Sequence, residues 1–239
     1  MVSPLRKQRD ALLKAKQTNY AVAHDATASL DSLHLRLIEF ENDKKVLKGF
    51  VQIAQKVNHK REVLIPKYKP VADQYLAAGE KYQNPIFTDL IIWLFDVGDL
   101  ETAVEWLFKA IELDLPTPEN FKRSSWAIVC ADFVLEWAER QLANGYSVEP
   151  YFSRVFEKIE KEWKVPEVVE AKWYKFAGYG LLLNEKGEPQ PSQVADAERL
   201  ELAKRFLEIA HEKHDKVGVK TKINQIEMRL NALSEGKNL

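Results

Sequence analysis

Hydrophobic residues recur three or four positions apart along most of the chain, which is the spacing of one face of an α-helix. No segment keeps the two-residue alternation of a half-buried strand. The pattern therefore predicts an all-α protein. We expect an N-terminal basic helix and a long self-associating helix, followed by a helical body that contains tetratricopeptide-like hairpins.

The long helix is predicted from Ala23 to Ala54, where apolar or small residues follow the 3-4 spacing of a heptad seam. Lys44 interrupts this seam at a position where an apolar residue is due. The seam predicts packing against another helix, either in a second copy of the chain or in the chain's own domain, and the sequence leaves both open. Its large apolar residues are Leu30, Leu33, Leu37, Phe40, Leu47 and Val51.

Two prolines, Pro66 and Pro70, follow this helix closely. Because proline disrupts a continuing helix, we place a joint at residues 58 to 70. The joint separates a basic arm, 1–61, from a helical body, 62–239. The helices predicted within the body cover residues 71–78, two runs on either side of Gly98, and residues 126–145, 151–163, 167–183, 195–213 and 220–233.

The two runs around Gly98 form a predicted helical hairpin. Glycine accepts the positive φ that ends a helix, and Asp99 can cap the helix that follows. The hairpin resembles one tetratricopeptide unit, and a weaker echo includes Gly178 and Ala203. The matching positions in the first unit are Leu90, Leu94, Gly98, Ala103, Leu107 and Ala110.

Composition limits the class of protein. The chain has 239 residues, of which 46% are hydrophobic and 30% are charged, as in ordinary globular proteins. It shows neither a run of about 18 apolar residues nor a signal peptide, so we expect no membrane partner and a cytoplasmic location. The single cysteine, Cys130, excludes an internal disulfide and lies in an apolar run typical of a buried residue.

Charge is distributed unevenly along the chain. Residues 1–61 hold 12 lysines and arginines against 6 aspartates and glutamates, whereas residues 62–239 hold 23 against 30. Such blocks are often only solvated surface, but a basic arm on an acidic body is also typical of nucleic-acid-binding proteins. The candidate phosphate-binding residues are Arg6, Lys7, Arg9, Lys14, Lys16, Lys44, Lys45, Lys48, Lys60 and Arg61.

Motifs for catalysis are missing from the sequence. The nine glycines form neither a Walker A loop nor a dinucleotide-binding fingerprint. His211 and His214 lack the partners of a metal site, and Glu170-Ala-Lys172 lies in a helical pattern without the strand that a nuclease centre needs. We expect no enzymatic activity, no cofactor and no metal. The six tryptophans follow helical spacing beside leucine and phenylalanine, which favours core packing over base stacking.

Several segments together resemble the small terminase subunits of tailed phages with cohesive-ended genomes. These are the N-terminal Ser3-Pro4 with Arg6 and Lys7, the segment from Lys60 to Pro66, the segment from Leu94 to Leu100 with Ala103 behind it, and Gly218-Val219-Lys220. The resemblance covers most of the chain, although none of these motifs is catalytic.

The resemblance implies a non-catalytic subunit of the genome-packaging motor in the host cell cytoplasm. Such a subunit binds the packaging site on double-stranded viral DNA and forms a homo-oligomer such as a ring. It also recruits and regulates the large subunit, which carries the ATPase and the endonuclease. On this model the arm binds DNA and self-associates, and the body contacts the large subunit.

Two other classes stay open at this point. The first is a cytoplasmic tetratricopeptide-like adaptor that binds a peptide and in which the charge asymmetry is incidental. The second is a helical enzyme built on scattered carboxylates, against which the missing motifs argue.

Overall fold

The computed structural model describes residues 34–79, 81–119, 121 and 125–236. The predicted all-α class is confirmed, since the described residues form helices and no strands. Helix α1 spans residues 34–49, and its first residue is also the first residue that the structure describes. The other α-helices are α2 (Ile53–His59), α3 (Ile65–Ala78), α4 (Pro85–Val97), α5 (Leu100–Glu112), α6 (Trp126–Ala143), α7 (Tyr151–Lys161), α8 (Glu167–Gly180), α9 (Ala197–Lys213) and α10 (Lys220–Ser234).

The chain divides into two compact units, and the boundary between them falls within α4. Unit 1 consists of Met1–Glu80 and Asn84–Trp93, and unit 2 consists of Lys81–Gln83 and Leu94–Leu239. No helix among the described residues is long and apolar enough to cross a membrane.

The single long helix predicted to reach Ala54 is wrong in its extent. Helix α1 ends at Gly49, and Gln52 has an extended backbone (φ −87°, ψ 135°) before α2 begins. Glycine weakens the interior of a helix because it gives up the most backbone freedom there. The heptad spacing therefore continues through a break that the apolar pattern alone does not reveal.

The predicted joint at 58–70 is helical in the structure. A π-helical turn, Lys60–Leu64, connects α2 directly to α3, and the Ile65 N–H donates to the Lys60 carbonyl five residues earlier. Pro66 lies at the start of α3 and Pro70 lies inside it. Proline has no N–H and cannot donate to the regular i→i−4 hydrogen bonds of a helix. The π-helical turn therefore lies next to Pro66, where such a donor is missing. The prolines mark a change of helical form rather than an end.

Aromatic rings form the interior of unit 1. Phe40 of α1 is fully buried, with its ring centroid 4.9 Å from that of Tyr68 and 5.2 Å from that of Trp93. Tyr75 of α3 contacts Phe87 of α4 at 5.3 Å. Helices α1, α3 and the first part of α4 therefore share one core.

Unit 2 has a larger aromatic core. The fully buried Trp173 stacks on Phe152 with a centroid distance of 4.9 Å, and its indole N–H donates to the Ala131 carbonyl at 3.1 Å. Phe156 contacts both Trp173 and Phe206. The core-packing role predicted for the tryptophans is confirmed for four of the six, since Trp93, Trp106, Trp126 and Trp173 are buried.

Helices α8 and α9 pack closely at Gly178. A Cβ added to this glycine would lie 2.6 Å from Leu207 Cδ2 and 3.2 Å from the Ala203 carbonyl oxygen. Only a residue without a side chain permits this approach. The small-residue face predicted from Gly178 and Ala203 therefore has a direct packing reason.

The predicted turn between α4 and α5 is confirmed. Gly98 has a φ of +82°, and the Asp99 carboxylate accepts a 3.2 Å hydrogen bond from the Thr102 N–H, as a helix N-cap does. Ala103, Leu107 and Ala110 are fully buried along α5. The tetratricopeptide character of this hairpin stays a prediction. Cys130 is buried as expected, and burial raises the pKa of its thiol.

Candidate functional site

Part of the predicted site cannot be placed. Arg6, Lys7, Arg9, Lys14 and Lys16, together with Leu30 and Leu33, lie outside the described residues. The remaining predicted residues all belong to unit 1.

Lys44, predicted to bind phosphate, points into the protein. Its ammonium lies 2.8 Å from Asp89 Oδ2 and 2.9 Å from Glu41 Oε1, and 5.4 Å from the centre of the Phe40 ring. Burial lowers the pKa of Lys44, but the hydrogen bonds that its ammonium donates to Asp89 and Glu41 outweigh this effect, and the pKa is raised. Lys44 thus fills the interrupted seam position as an interior ion-pair partner.

Lys60, a second lysine predicted to bind phosphate, also interacts with Asp89. Burial raises the pKa of Asp89, and the positive charges of Lys44 and Lys60 oppose that rise. The Lys60 ammonium lies 5.8 Å from the centre of the Trp93 ring. The structure therefore brings Lys44 and Lys60 together around one half-buried carboxylate, a group that the sequence analysis missed.

The other predicted cations lie closer to solvent. Lys45 and Lys48 are exposed on α1, and the Lys45 ammonium donates to Asn42 Oδ1 at 3.3 Å. Arg61 is exposed on the π-helical turn and donates to Asn58 Oδ1 at 3.4 Å. These side chains keep their charged ends accessible.

A second ion cluster joins α1 to α3. The Lys67 ammonium lies 2.6 Å from Asp43 Oδ2 and 2.9 Å from Glu39 Oε1, and the Tyr68 hydroxyl donates to Asp43 Oδ2 at 2.7 Å. Burial raises the pKa of Asp43, but the hydrogen bonds from Lys67 and Tyr68 prevail and leave it lowered. Glu39 and Asp43 are one helical turn apart, which was a usable signal, but nothing in the sequence named Lys67 as their partner.

The residues of the predicted seam do not all point into the protein. Phe40 is fully buried and Leu47 is 9% exposed, so both belong to the protein's own core, whereas Val51 is 91% exposed. The packing of α1 within its own unit, left open by the sequence, therefore accounts for the middle of the seam. The outer side of α1 carries different apolar residues: Leu35 (67% exposed), Ile38 (48%) and Val46 (57%).

The residues considered for metal binding lie on α8 and at the end of α9. Glu170 forms an ion pair with Lys213, and His211 and His214 lie at the end of α9. Within the described ranges, no group of three or more histidine, cysteine, aspartate or glutamate side chains is arranged to hold a metal ion.

Unit 2 has an open groove of about 730 Å³ beside α6 and α8. Its lining includes Phe176 and Tyr179. Its charged lining residues come from α6, from α8 and from the turn after α9. The charged lining residues are Asp132, Glu136, Glu139, Lys172, Lys175 and Lys216.

Comparison with known proteins gives the family. Residues 37–168, more than half of the chain, match the family model described as phage small terminase subunit. The chain is 33% identical over 232 residues to the "Probable terminase, endonuclease subunit" of Haemophilus phage HP1, covering 96% of this chain and 82% of that protein. It is 27% identical over 152 residues to the "Terminase, endonuclease subunit" of Escherichia phage P2, covering 64% and 60% respectively. No solved structure matches. The chain therefore belongs to the phage small terminase subunit family.

Proposed function

We propose that this protein is the non-catalytic, DNA-recognising subunit of a phage terminase that acts in the host cell cytoplasm. It binds the packaging site on double-stranded viral DNA, associates with itself, and recruits and regulates the large subunit that carries the ATPase and the endonuclease. The observation that carries this proposal is the family match, which begins within α1 and includes the exposed lysines of unit 1.

The charges of unit 1 support the DNA-binding part of the proposal. Glu39 and Asp43 share Lys67, and Asp89 pairs with Lys44, so part of their negative charge is compensated within the same unit. Lys45 and Lys48 are exposed on α1. Cations displayed in this way contribute to binding by replacing the counterions of phosphates.

The groove of unit 2 supports the partner part of the proposal. Its lining combines aromatic residues with charged residues of both signs, which a protein segment of mixed charge would fit. We propose this groove as the place where the large subunit docks, and the basic arm as the part that holds DNA.

The names of the two relatives require a direct test of catalysis. Both are called endonuclease subunits, and that name suits either a subunit that cleaves DNA or one that serves a cleaving complex. We expect the purified protein with Mg²⁺ to leave duplex DNA intact, and cleavage to begin when the large subunit of the same phage is added. Cleavage by the purified chain alone would overturn the non-catalytic assignment.

DNA binding is tested by fluorescence anisotropy with a duplex carrying the phage packaging site, at several salt concentrations. The test variants are Lys45→Gln with Lys48→Gln, and a second variant with Arg6, Lys7, Arg9, Lys14 and Lys16 changed to Gln. The matched control is Lys216→Gln with Lys220→Gln, two exposed lysines of unit 2.

We expect both test variants to bind more weakly and with a shallower salt dependence, and the control to bind like the wild type. If the wild type shows no salt-sensitive binding, or if neutralising the arm changes nothing, the DNA-binding proposal fails. The peptide-binding adaptor would then be the better description.

A further inference from the structure

The outer side of α1 carries an apolar stripe without a partner in the described part of the protein. We call Leu35, Ile38, Asn42, Val46 and Gly49 the outer stripe. All five are exposed, and the three apolar members are among the most exposed large hydrophobic residues of the chain. The outer stripe lies opposite Phe40 and Leu47, which point into the core.

The spacing of the outer stripe is symmetric. Its members are separated by three, four, four and three residues, so the series reads the same in both directions about Asn42. Steps of three and four keep residues on one face of a helix. A face with this property can meet an antiparallel copy of itself, as a twofold interface requires, because each residue then meets its own counterpart in the reversed series.

The side chains on the stripe fit this reversed series. Ile38 of one copy would lie opposite Val46 of the other, and Leu35 opposite Gly49, whose missing side chain leaves room for a large one. Nothing lies within 4 Å of a Cβ added at Gly49, so that position is open in the isolated chain. Asn42 would meet Asn42, a polar pair that fixes register at a small cost in stability.

Charge at the edge of the stripe is also self-complementary. Glu41 and Lys45 lie on the same side of the outer stripe, four residues apart. In an antiparallel pair centred on Asn42, Glu41 of each copy comes beside Lys45 of the other. A parallel pair in the same register would instead place this edge on opposite sides of the interface in the two copies, so Glu41 of one copy would not meet Lys45 of the other.

We propose that two copies of this protein associate through the outer stripe of α1, antiparallel and centred on Asn42. The proposal rests on the proposed function only in taking a second copy as the partner. This surface differs from the one predicted from the sequence, because Phe40 and Leu47 of that seam are buried in the protein's own core. A pair of helices this short buries less than a standard interface of about 1,600 Å², so the association depends on protein concentration.

The first test is sedimentation equilibrium of the full chain over a range of concentrations, with Ile38→Asp as the test variant. Met228→Asp is the matched control, since Met228 is 71% exposed on α10 of unit 2. We expect the wild type and the control to associate equally, and Ile38→Asp to associate about tenfold or more weakly. Circular dichroism melting identifies a variant that has merely unfolded.

The second test is disulfide trapping with single introduced cysteines, which does not depend on a disruptive substitution. Asn42→Cys should form a covalent dimer under oxidation, because the two copies of residue 42 meet at the twofold axis. Leu35→Cys should not, because the two copies of residue 35 lie on the order of 21 Å apart along the helices. Mixing Ile38→Cys with Val46→Cys should again give a dimer, and the native Cys130 is buried and does not interfere.

Each contrary outcome overturns the proposal. A wild type that stays monomeric at every concentration, or an Ile38→Asp variant that associates normally, removes the outer stripe as the interface. Equal trapping at residues 35 and 42 shows a parallel pair. The proposed DNA-binding function is tested independently of this interface. A monomer that binds DNA would support that function, and a protein that associates but does not bind DNA would contradict it.

Discussion

The two units differ in how many of their partly buried cations rely on carboxylate partners. In unit 1 the partners are carboxylates: Lys44 pairs with Asp89, and Lys67 pairs with Asp43. Unit 2 has such pairs as well, Lys204 with Glu227 and Lys213 with Glu170, but three other cations donate to backbone carbonyls in the segments that follow helices. These contacts are Lys175 to Val217 at 2.8 Å, Lys222 to Pro189 at 2.7 Å and Arg229 to Val194 at 2.9 Å.

The difference has a consequence for stability. A carboxylate partner can be protonated, so the contacts that join the helices of unit 1 depend on pH, whereas a carbonyl accepts a hydrogen bond at any ordinary pH. Unit 2 relies in addition on the aromatic core around Trp173. We therefore expect charge substitutions to disturb unit 1 most and volume substitutions to disturb unit 2 most.

The largest effect is expected in the aromatic core of unit 2. Trp173→Ala removes a fully buried ring and its hydrogen bond to Ala131, which should lower the free energy of unfolding by about 3–5 kcal/mol. Urea denaturation followed by circular dichroism measures this change. Tyr146→Ala is the control, because Tyr146 is 64% exposed, and it should change stability by about 0.5 kcal/mol or less. A loss of under about 1 kcal/mol for Trp173→Ala would show that this core is not closely packed.

The next effect concerns the ion pair of unit 1. Lys44→Met leaves the half-buried Asp89 without its nearest positive charge, and we expect a loss of about 2–3 kcal/mol near neutral pH. The double variant Lys44→Met with Asp89→Leu should recover most of this loss, because it removes the stranded charge as well. The free energies of unfolding of the wild type, Lys44→Met and the double variant, measured by urea denaturation, test this recovery.

The loss of stability in Lys44→Met should depend on pH, and the pKa of Asp89 gives the direction of that dependence. Burial raises the pKa of Asp89 above its usual value of 3.8, so the folded state binds a proton there more tightly than the unfolded state. The contribution of Asp89 to stability therefore falls as the pH rises from that usual value through the folded pKa. Removing Lys44 raises the folded pKa further, so the deficit of the variant should be small in acid and should grow with pH. A deficit that is the same at all pH values would rule out this origin.

Close packing of α8 on α9 predicts a smaller effect. Gly178→Ala places a methyl group against Leu207 and the Ala203 carbonyl, which should cost about 1–3 kcal/mol. Gly180→Ala is a matched control at the end of the same helix, where a Cβ meets nothing within 4 Å. The control should be neutral or slightly stabilising, because alanine favours the helix over glycine. Equal effects of the two substitutions in thermal melting would mean that the contact with Leu207 relaxes freely.

These cases show what the sequence could predict. Helical periodicity located the helices of unit 2 to within a few residues, and the turn at Gly98 and Asp99 followed from local backbone preferences alone. Periodicity also found the apolar residues of α1, but it could not tell which of two stripes turns inward. That choice depends on Tyr68 and Trp93, which lie far along the chain.

The candidate site shows the same limit more strongly. Lys44, Lys45 and Lys48 look alike in the sequence, but only Lys44 lies against Asp89, 45 residues further on. Ion pairs between distant residues leave no periodic signal. Family membership could be inferred from short segments of local sequence, whereas the role of each cation depends on its three-dimensional partners.

The smallest effect on stability should come from Lys48→Gln, which completes the comparison among the lysines of α1. Lys48 is exposed, so the free energy of unfolding should change by about 0.5 kcal/mol or less, in contrast with Lys44→Met. If Lys48 contacts a phosphate, its loss should also reduce the slope of log affinity against log salt by about 0.9. Fluorescence anisotropy with the packaging-site duplex measures that slope, and Lys220→Gln on α10 is the control with an equal loss of charge. A slope reduced to the same degree in both variants would indicate net charge alone, and an unchanged slope in Lys48→Gln would exclude this side chain from the DNA contact. A change confined to Lys48→Gln would place the DNA on the side of α1 where Lys48 projects, because the stability of the helix is unaltered and only the displayed charge has been removed.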